Sequence, residues 1–265
     1  MPSRSRDVLG GLCAREATVN SLVLLSGPSC VGKGPLLAAV KRLCPSVAGK
    51  LRKVLLYNNR DPRPGEVDGV EYRFRAQEEI LVFRERADFI VLEVRPGNFQ
   101  ALAREEIEDA IRTPGIPFLE AFCGFLGEIE RSGWLKRDEI LSVFLSPLSK
   151  EEIVFLKQQG NVTLEDFVSG VMRRKLLRRT QKQKGSLSRR DLDDIEKRVG
   201  TAYEELRAAC RYDYVIPNHD GEDSENWDQF YYPIGDARKA LLSFVDVLDG
   251  KKPRFGEKWP RNLIP

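Results

Sequence analysis

Leu22-Val-Leu-Leu-Ser-Gly-Pro-Ser-Cys-Val-Gly-Lys-Gly-Pro-Leu-Leu-Ala-Ala-Val40 reads as a buried strand, a glycine-rich turn and the start of a helix. Glycines let backbone N–H groups converge on an anion at the positive end of a helix, and Lys33 adds a point charge. The spacing from Gly27 to Lys33 is G-x4-G-K, most of a Walker A pattern, and it sits in the strand-turn-helix context that gives the pattern meaning. Candidate contacts to a nucleotide's phosphates are Gly27, Ser29, Cys30, Val31, Gly32, Lys33 and Gly34. An ordinary strand-turn-helix corner is the plainer alternative.

Gly34 stands where Ser or Thr would offer a hydroxyl to magnesium, and Pro35 follows, so neither side chain can ligate a metal. Two readings follow. In one, water replaces the hydroxyl and nucleotide still binds with magnesium; adenylate kinases, which this detail resembles, also carry Gly there. In the other, the loop persists while catalysis has decayed. Proline in the first turn of a helix costs no hydrogen bond, so the helix itself is expected.

The chain has 265 residues, 42% of them hydrophobic, enough for a large core in one elaborated domain or two small ones. No apolar run approaches the ~18 residues of a membrane span, and Met1-Pro-Ser-Arg-Ser-Arg6 lacks the apolar block of a signal peptide. A cytoplasmic protein with no membrane partner is expected. Cys13, Cys30, Cys44, Cys123 and Cys210 are odd in number and contain no C-x-x-C pair, so they read as reduced thiols. Cys30 is either a reactive thiol beside a helix start and Lys33 or a small residue tolerated between glycines. With His219 as the lone histidine, a His-based triad or metal cluster is not expected.

Net charge is +3, too balanced to imply a nucleic-acid partner. Residues 171–190 nevertheless hold nine positive charges and no negative one. That segment reads as a solvated basic helix or as a supply of arginines; without aromatic residues to stack bases, nucleic-acid binding is the weaker reading.

Strands are expected at 22–26, 52–58, 70–75, 88–94, 116–122, 140–145 and 212–216. Helical periods run over 34–43, 76–85, 99–112, 149–158, 162–181, 190–210 and 235–248. The alternation predicts an α/β fold, a parallel sheet covered by helices on both faces, with the phosphate loop at the carboxyl end of its strand. Two stretches interrupt it: an Arg-, Pro- and Gly-rich module near 53–98 and a basic helical excursion near 159–192.

Arg60-Asp-Pro-Arg-Pro-Gly-Glu-Val-Asp-Gly-Val-Glu-Tyr-Arg-Phe74 resembles the acceptor-binding signature of guanylate kinases, R-x-P-R-x-G-E-x-x-G-x-x-Y-x-F. Weaker likeness continues through Ile140–Ser149, Ile195-Glu-Lys-Arg198 and Tyr212–Asn218. The resemblance implies an ATP-dependent nucleoside monophosphate kinase using Mg2+. Its parts would be a core at 19–52, 99–158 and 193–249, an acceptor-binding module at 53–98 and an enlarged lid at 159–192, with tails at 1–18 and 250–265. It implies that Arg60, Arg63 and Tyr72 hold the acceptor's phosphate and that Glu66 organises their site. Arginines fork onto phosphate oxygens, and tyrosine donates without charge. A surface hairpin whose arginines pair with Glu66, Asp68 and Glu71 is the bland alternative.

Departures from the pattern are concentrated where the acceptor's base and the metal would be read. The family's Ser is Leu56, and its Thr pair is Asn58-Asn59. Anchored on Gly97-Asn98, its base-reading Glu falls at Val91 and its Tyr and Ser or Thr at Gln100 and Leu102; anchored on Leu92-Glu93, Glu93 becomes the base reader. Glu120 keeps one acid of the family's L-D-x-D segment, able to hold magnesium through water or simply to pair with Lys33, and Phe122 replaces the other. Lid arginines are replaced by Phe155 and Gln159. Arg198 keeps the position of the helix arginine that reaches the transferring phosphoryl group, with Arg189 and Arg190 as substitutes for the missing lid arginines. Asn218 matches an asparagine near the donor base, and Trp227, Phe230, Tyr231 and Tyr232 either cover the adenine or pack the insertion that carries them.

GMP is the default acceptor, with another phosphorylated small molecule open because the guanine-reading residues are replaced. The alternative is a catalytically weak or inactive guanylate kinase-like module that binds nucleotide or a phosphorylated protein partner.

Overall fold

The computed structural model describes residues 22–63, 65–160 and 162–264. The expected 1–18 tail, with Cys13, lies outside them. The predicted strand opens the fold as β1 (Leu22–Ser26), whose side chains alternate between two buried faces. Leu22 and Leu24 enter one core cluster, and Val23 and Leu25 enter the other. That is why the run is apolar throughout rather than at every second position.

Parallel neighbours flank β1: β7 (Ile116–Glu120) on one side and β8 (Ile140–Ser146) on the other, with β2 (Leu51–Lys53) and β9 (Tyr214–Pro217) outermost. One face is covered by α1 (Lys33–Leu43) and α9 (Gly235–Leu248), with α2 (Pro45–Ala48) beside them. Leu36, Ala39, Val40 and Leu43 form the buried stripe of α1 at i, i+3, i+4, i+7. The opposite face is covered by α5 (Gly124–Ser132), α7 (Leu164–Lys184) and α8 (Arg189–Arg207). α6 (Lys150–Gln159) leads into α7 and starts on a capping box in which Ser149 and Glu152 satisfy each other's backbone N–H.

A second sheet, order β4-β3-β6-β5, is formed by β3 (Leu56–Asn58), β4 (Arg73–Phe74), β5 (Phe89–Arg95) and β6 (Asn98–Ala103). Leu56, Ile90 and Leu102 join the main core; Ile80 of α3 (Gln77–Val82), Phe99 and Ala101 form a separate one with Tyr57, Phe83 and Phe89. The expected helix at 99–112 is corrected here. Residues 98–103 turn back antiparallel on β5, and only α4 (Arg104–Arg112) is helical. The sheet therefore runs to Ala103, past residue 98. Likewise α8 passes unbroken through residue 192.

The C-terminal stretch lies along the sheet rather than fraying. Val215 and Glu257 exchange backbone hydrogen bonds of 2.8 and 2.7 Å, Lys258 Nζ donates to the Tyr212 carbonyl at 2.5 Å, and Trp259 is buried.

Candidate functional site

The chain leaves β1 at Ser26 and turns back over its end. Gly27 (φ 145°) approaches the Leu145 carbonyl so closely that a Cβ would sit 2.3 Å from its oxygen. Gly32 (φ 106°) caps α1, and a Cβ there would meet Asn218 Nδ2 at 2.6 Å. Glycine is required at both positions. α1 has no side-chain cap and no acidic residue in its first turn, so its N-terminal N–H groups face outward as an anion cradle. Lys33 folds over the loop, donating from Nζ to the Gly27 and Pro28 carbonyls at 2.6 and 3.1 Å.

That loop forms one wall of a cleft of about 750 Å3. Gly27, Ser29, Lys33 and Gly34 line it from the core, and Arg60, Arg63, Glu66 and Tyr72 from the second sheet. Glu120 and Arg198 line it as well. Glu66 organises the arginine pair. Arg60 forks onto it with bonds of 2.6 and 2.7 Å, and the Arg63 backbone N–H donates to it at 2.8 Å. Arg60 also lies 5.1 Å over the Tyr72 ring. The hairpin alternative is realised only in part: Arg60 pairs with Glu66, whereas the Arg63 side chain opens into the cleft.

Electrostatics in the cleft favour an anion. Lost solvation in the cleft first, and the neighbouring charges of Arg60, Arg198 and Arg179 next, pull Arg63 below its ordinary value while part of its surface stays in water. Burial pushes the Tyr72 hydroxyl up to about 12, so it remains a neutral donor. Burial raises the Glu120 carboxyl as well, while Lys33 opposes it.

Three expectations are corrected, and one open alternative is decided. Glu93 is exposed, and its carboxylate accepts the Gly97 N–H at 2.9 Å outside the cleft; β5 turns Val91 toward the separate core of the second sheet, so neither anchoring supplies a carboxylate base reader. Asn218 is fully buried and donates to the Val31 and Asp220 carbonyls at 2.7 Å, bracing the loop from behind rather than lining the cleft. Arg189 and Arg190 open α8 outside the cleft. Arg190 is 92% exposed and approaches only the equally exposed Asp61, at 3.8 Å. Of the two readings of Cys30, the small packed residue holds: the Cys30 and Val31 side chains are buried within the loop, and burial pushes the Cys30 thiol up to about 12.

Trp227 packs behind Gly32 and donates to the Asp220 carbonyl, while Phe230 and Tyr231 are exposed, so the aromatic insertion braces the loop. Fit to magnesium rests on carboxylates, because Gly34 offers open space and no hydroxyl. Glu120 ends β7 near Lys33, and Glu222 approaches from the insertion after β9. Among the described residues no group of three or more His, Cys, Asp or Glu could hold a metal ion.

Gln100, which the resemblance puts where the family has Tyr, does line the cleft, and three further lining residues escape sequence reasoning. Gln100 is 9% exposed, and its buried Oε1 has no hydrogen-bond partner among the described residues. Arg95, Arg179 and Glu222 also reach the cleft. For Arg179 a signal existed. Val168, Met172, Lys175, Leu176, Arg179 and Thr180 recur at helical spacing and make the buried stripe of α7.

No protein-family model matches the chain. Curated relatives do. A guanylate kinase of Synechococcus sp. (strain JA-3-3Ab) is 28% identical over 82% of this chain and 84% of its own. Those of Desulfitobacterium hafniense (strain Y51) and Vibrio cholerae are each 29% identical, over 74% and 76% of this chain and 81% of theirs. Among solved structures, the guanylate kinase from Anaplasma phagocytophilum aligns with 76% of this chain and 77% of its own at TM-score 0.45 and 22% identity.

Proposed function

We propose that this divergent guanylate kinase-like chain is an ATP-dependent kinase that moves the γ-phosphoryl group of ATP onto a nucleoside monophosphate, GMP or a near relative. One observation carries the reading: the main-chain cradle with Lys33 and the Arg60, Arg63 and Tyr72 group line a single cleft, with Arg198 donating to Ser29 Oγ of the phosphate loop at 3.0 Å. The donor's β- and γ-phosphates fit the cradle, and the acceptor's phosphate fits the guanidinium pair. An oxygen of the acceptor phosphate attacks the γ-phosphorus, and the bond to the β–γ bridging oxygen breaks with its electron pair leaving on ADP. Such transfer needs alignment and neutralised charge more than a general base, which suits a cleft rich in arginine. Magnesium bound with the nucleotide would add positive charge at the β- and γ-phosphates, with Glu120 holding it through water.

On the acceptor side, Asn58, Asn59 and Asn98 bond one another and the backbone across the β3–β6 junction. Gln100 is left as the polar group free to read a base, beside apolar Leu56 and Val94. A carboxylate accepts two N–H groups from guanine, whereas an amide accepts one and donates one. Preference for GMP over other monophosphates is therefore proposed to be weak. A coupled assay with ATP and each purified monophosphate tests this reading. Transfer to GMP and to at least one other monophosphate supports it, and ADP release independent of every monophosphate refutes it.

A further inference from the structure

Two arginines outside the motifs line the same cleft. Arg179 comes from α7, the helix of the basic excursion, and is 8% exposed on the stripe that packs against the core. Its Nη1 donates to Glu222 at 2.9 Å, and its buried Nε has no partner among the described residues. Arg95 ends β5, donates from Nη2 to Ser29 Oγ at 3.4 Å, and likewise has an unpartnered buried Nε. Arg198 reaches the same hydroxyl from α8 and is held by Asp194 at 2.7 Å.

Position separates this group from the two phosphate sites already described. Arg179 adds to the repulsion on Arg63 from the acceptor side. Its partner Glu222 also feels Lys33 from the donor side, and the Glu222 N–H donates to the Cys30 carbonyl of the loop at 3.3 Å. Arg179 thus lines the cleft shared by both sites and is tied through Glu222 to the phosphate loop. Other charges of the excursion do not; Arg174, Arg178 and Lys182 are exposed.

We propose that Arg179 and Arg95 grip the phosphoryl group in transit, Arg179 exchanging its Glu222 partner for the γ-phosphate oxygens, so that the extra helix supplies the positive charge that Phe155 and Gln159 do not. This rests on the kinase reading for its chemistry, but the central anion site has a readout of its own. Glu222 holds the guanidinium toward the cleft, a positioning role, and a carboxylate is an apt placeholder for a phosphoryl group because both take two guanidinium N–H donors. Charge spread over the three equatorial oxygens of the moving group is what these donors would meet.

Arg179→Met keeps the packed stem and removes the charge, Arg179→Lys keeps charge without the fork, and Arg174→Met is the exposed control on the same helix. Arg179→Met is expected to lower kcat by about 10²- to 10³-fold with KM for ATP and acceptor changed by less than about threefold, Arg179→Lys to recover about tenfold, and Arg174→Met to match wild type. Independently of turnover, calorimetric affinity for an adenosine–guanosine pentaphosphate, which bridges both subsites, should fall about thirtyfold in Arg179→Met while ADP affinity holds. Equal affinity of wild type and Arg179→Met for the bridged analogue, with thermal melts matched, overturns the proposal whether or not the protein turns over. If the analogue depends on Arg179 but no monophosphate is phosphorylated, the central site stands and the kinase reading falls.

Discussion

The phosphate loop and the α7–α8 hairpin face each other across one cleft, yet they are built on opposite terms. In the loop, the proposed anion contacts are made by the backbone, and side chains are excluded: Gly27 and Gly32 have no room for a Cβ, and Asn218 and Trp227 wedge the turn from behind. In the hairpin, the proposed contacts are made by long side chains carried on ordinary helix, and the backbone is incidental. One site tolerates almost no change of sequence, whereas the other can be rebuilt wherever a helix presents a cation at the right turn.

Removing the Lys33 charge should cost the most. Lys33→Ala is expected to reduce transfer by about 10³-fold in the coupled assay, and a variant within threefold of wild type would strip the loop of its donor role. Next comes backbone against side chain. Gly32→Ala, forced into a left-handed conformation against Asn218, should lower stability by about 1–3 kcal/mol in a denaturant titration. Gly200→Ala, exposed in α8 with nothing within 4 Å, should raise it by about 0.5–1 kcal/mol. Equal shifts of one sign would erase the contrast.

A smaller effect is expected at the acceptor's base. Gln100→Glu restores two acceptors where an amide offers one, and should raise the GMP-to-AMP ratio of kcat/KM by about tenfold. An unchanged ratio would remove Gln100 from base reading.

The smallest effect concerns the joint beneath the hairpin. His219 bonds Glu152 of α6 at 2.8 Å and also meets Asp236 of α9. The Glu152 carboxylate first, then Asp236, hold its imidazolium against the opposing effect of burial and raise it to about 9. A raised folded value contributes stability that is complete below the unfolded value of 6.5 and is lost as pH climbs through 9. Because the pair is partly exposed, the loss should be about 1 kcal/mol or less. Melting curves should show wild type losing more stability from pH 6 to 9.5 than His219→Gln, and parallel losses would contradict the assignment.

What could be read from the chain follows the same division. The loop, β1, α1 and the Arg60–Phe74 signature are contiguous, so local spacing carries them into the fold and into the cleft. β6 was hidden because Phe99-Gln-Ala-Leu-Ala103 lacks β-branched residues, and antiparallel pairing with β5 overrides a helical period. α5 was hidden by the two glycines, Gly124 and Gly127, within its short span. Arg189 and Arg190 are near Arg198 in sequence but about 12 Å along the helix from it, a rise of 1.5 Å per residue over eight residues. Arg95, Arg179 and Glu222 come from three distant segments, so no local pattern unites them; only the buried stripe of α7 singles out Arg179.

The antiparallel bridge between Val215 and Glu257 has a consequence for assembly. β9 is the last rung of the main sheet, and an uncovered rim of that kind invites strand-by-strand polymerisation with another molecule. By laying Glu257 across it and anchoring Trp259 alongside, the polypeptide acts as its own stopper.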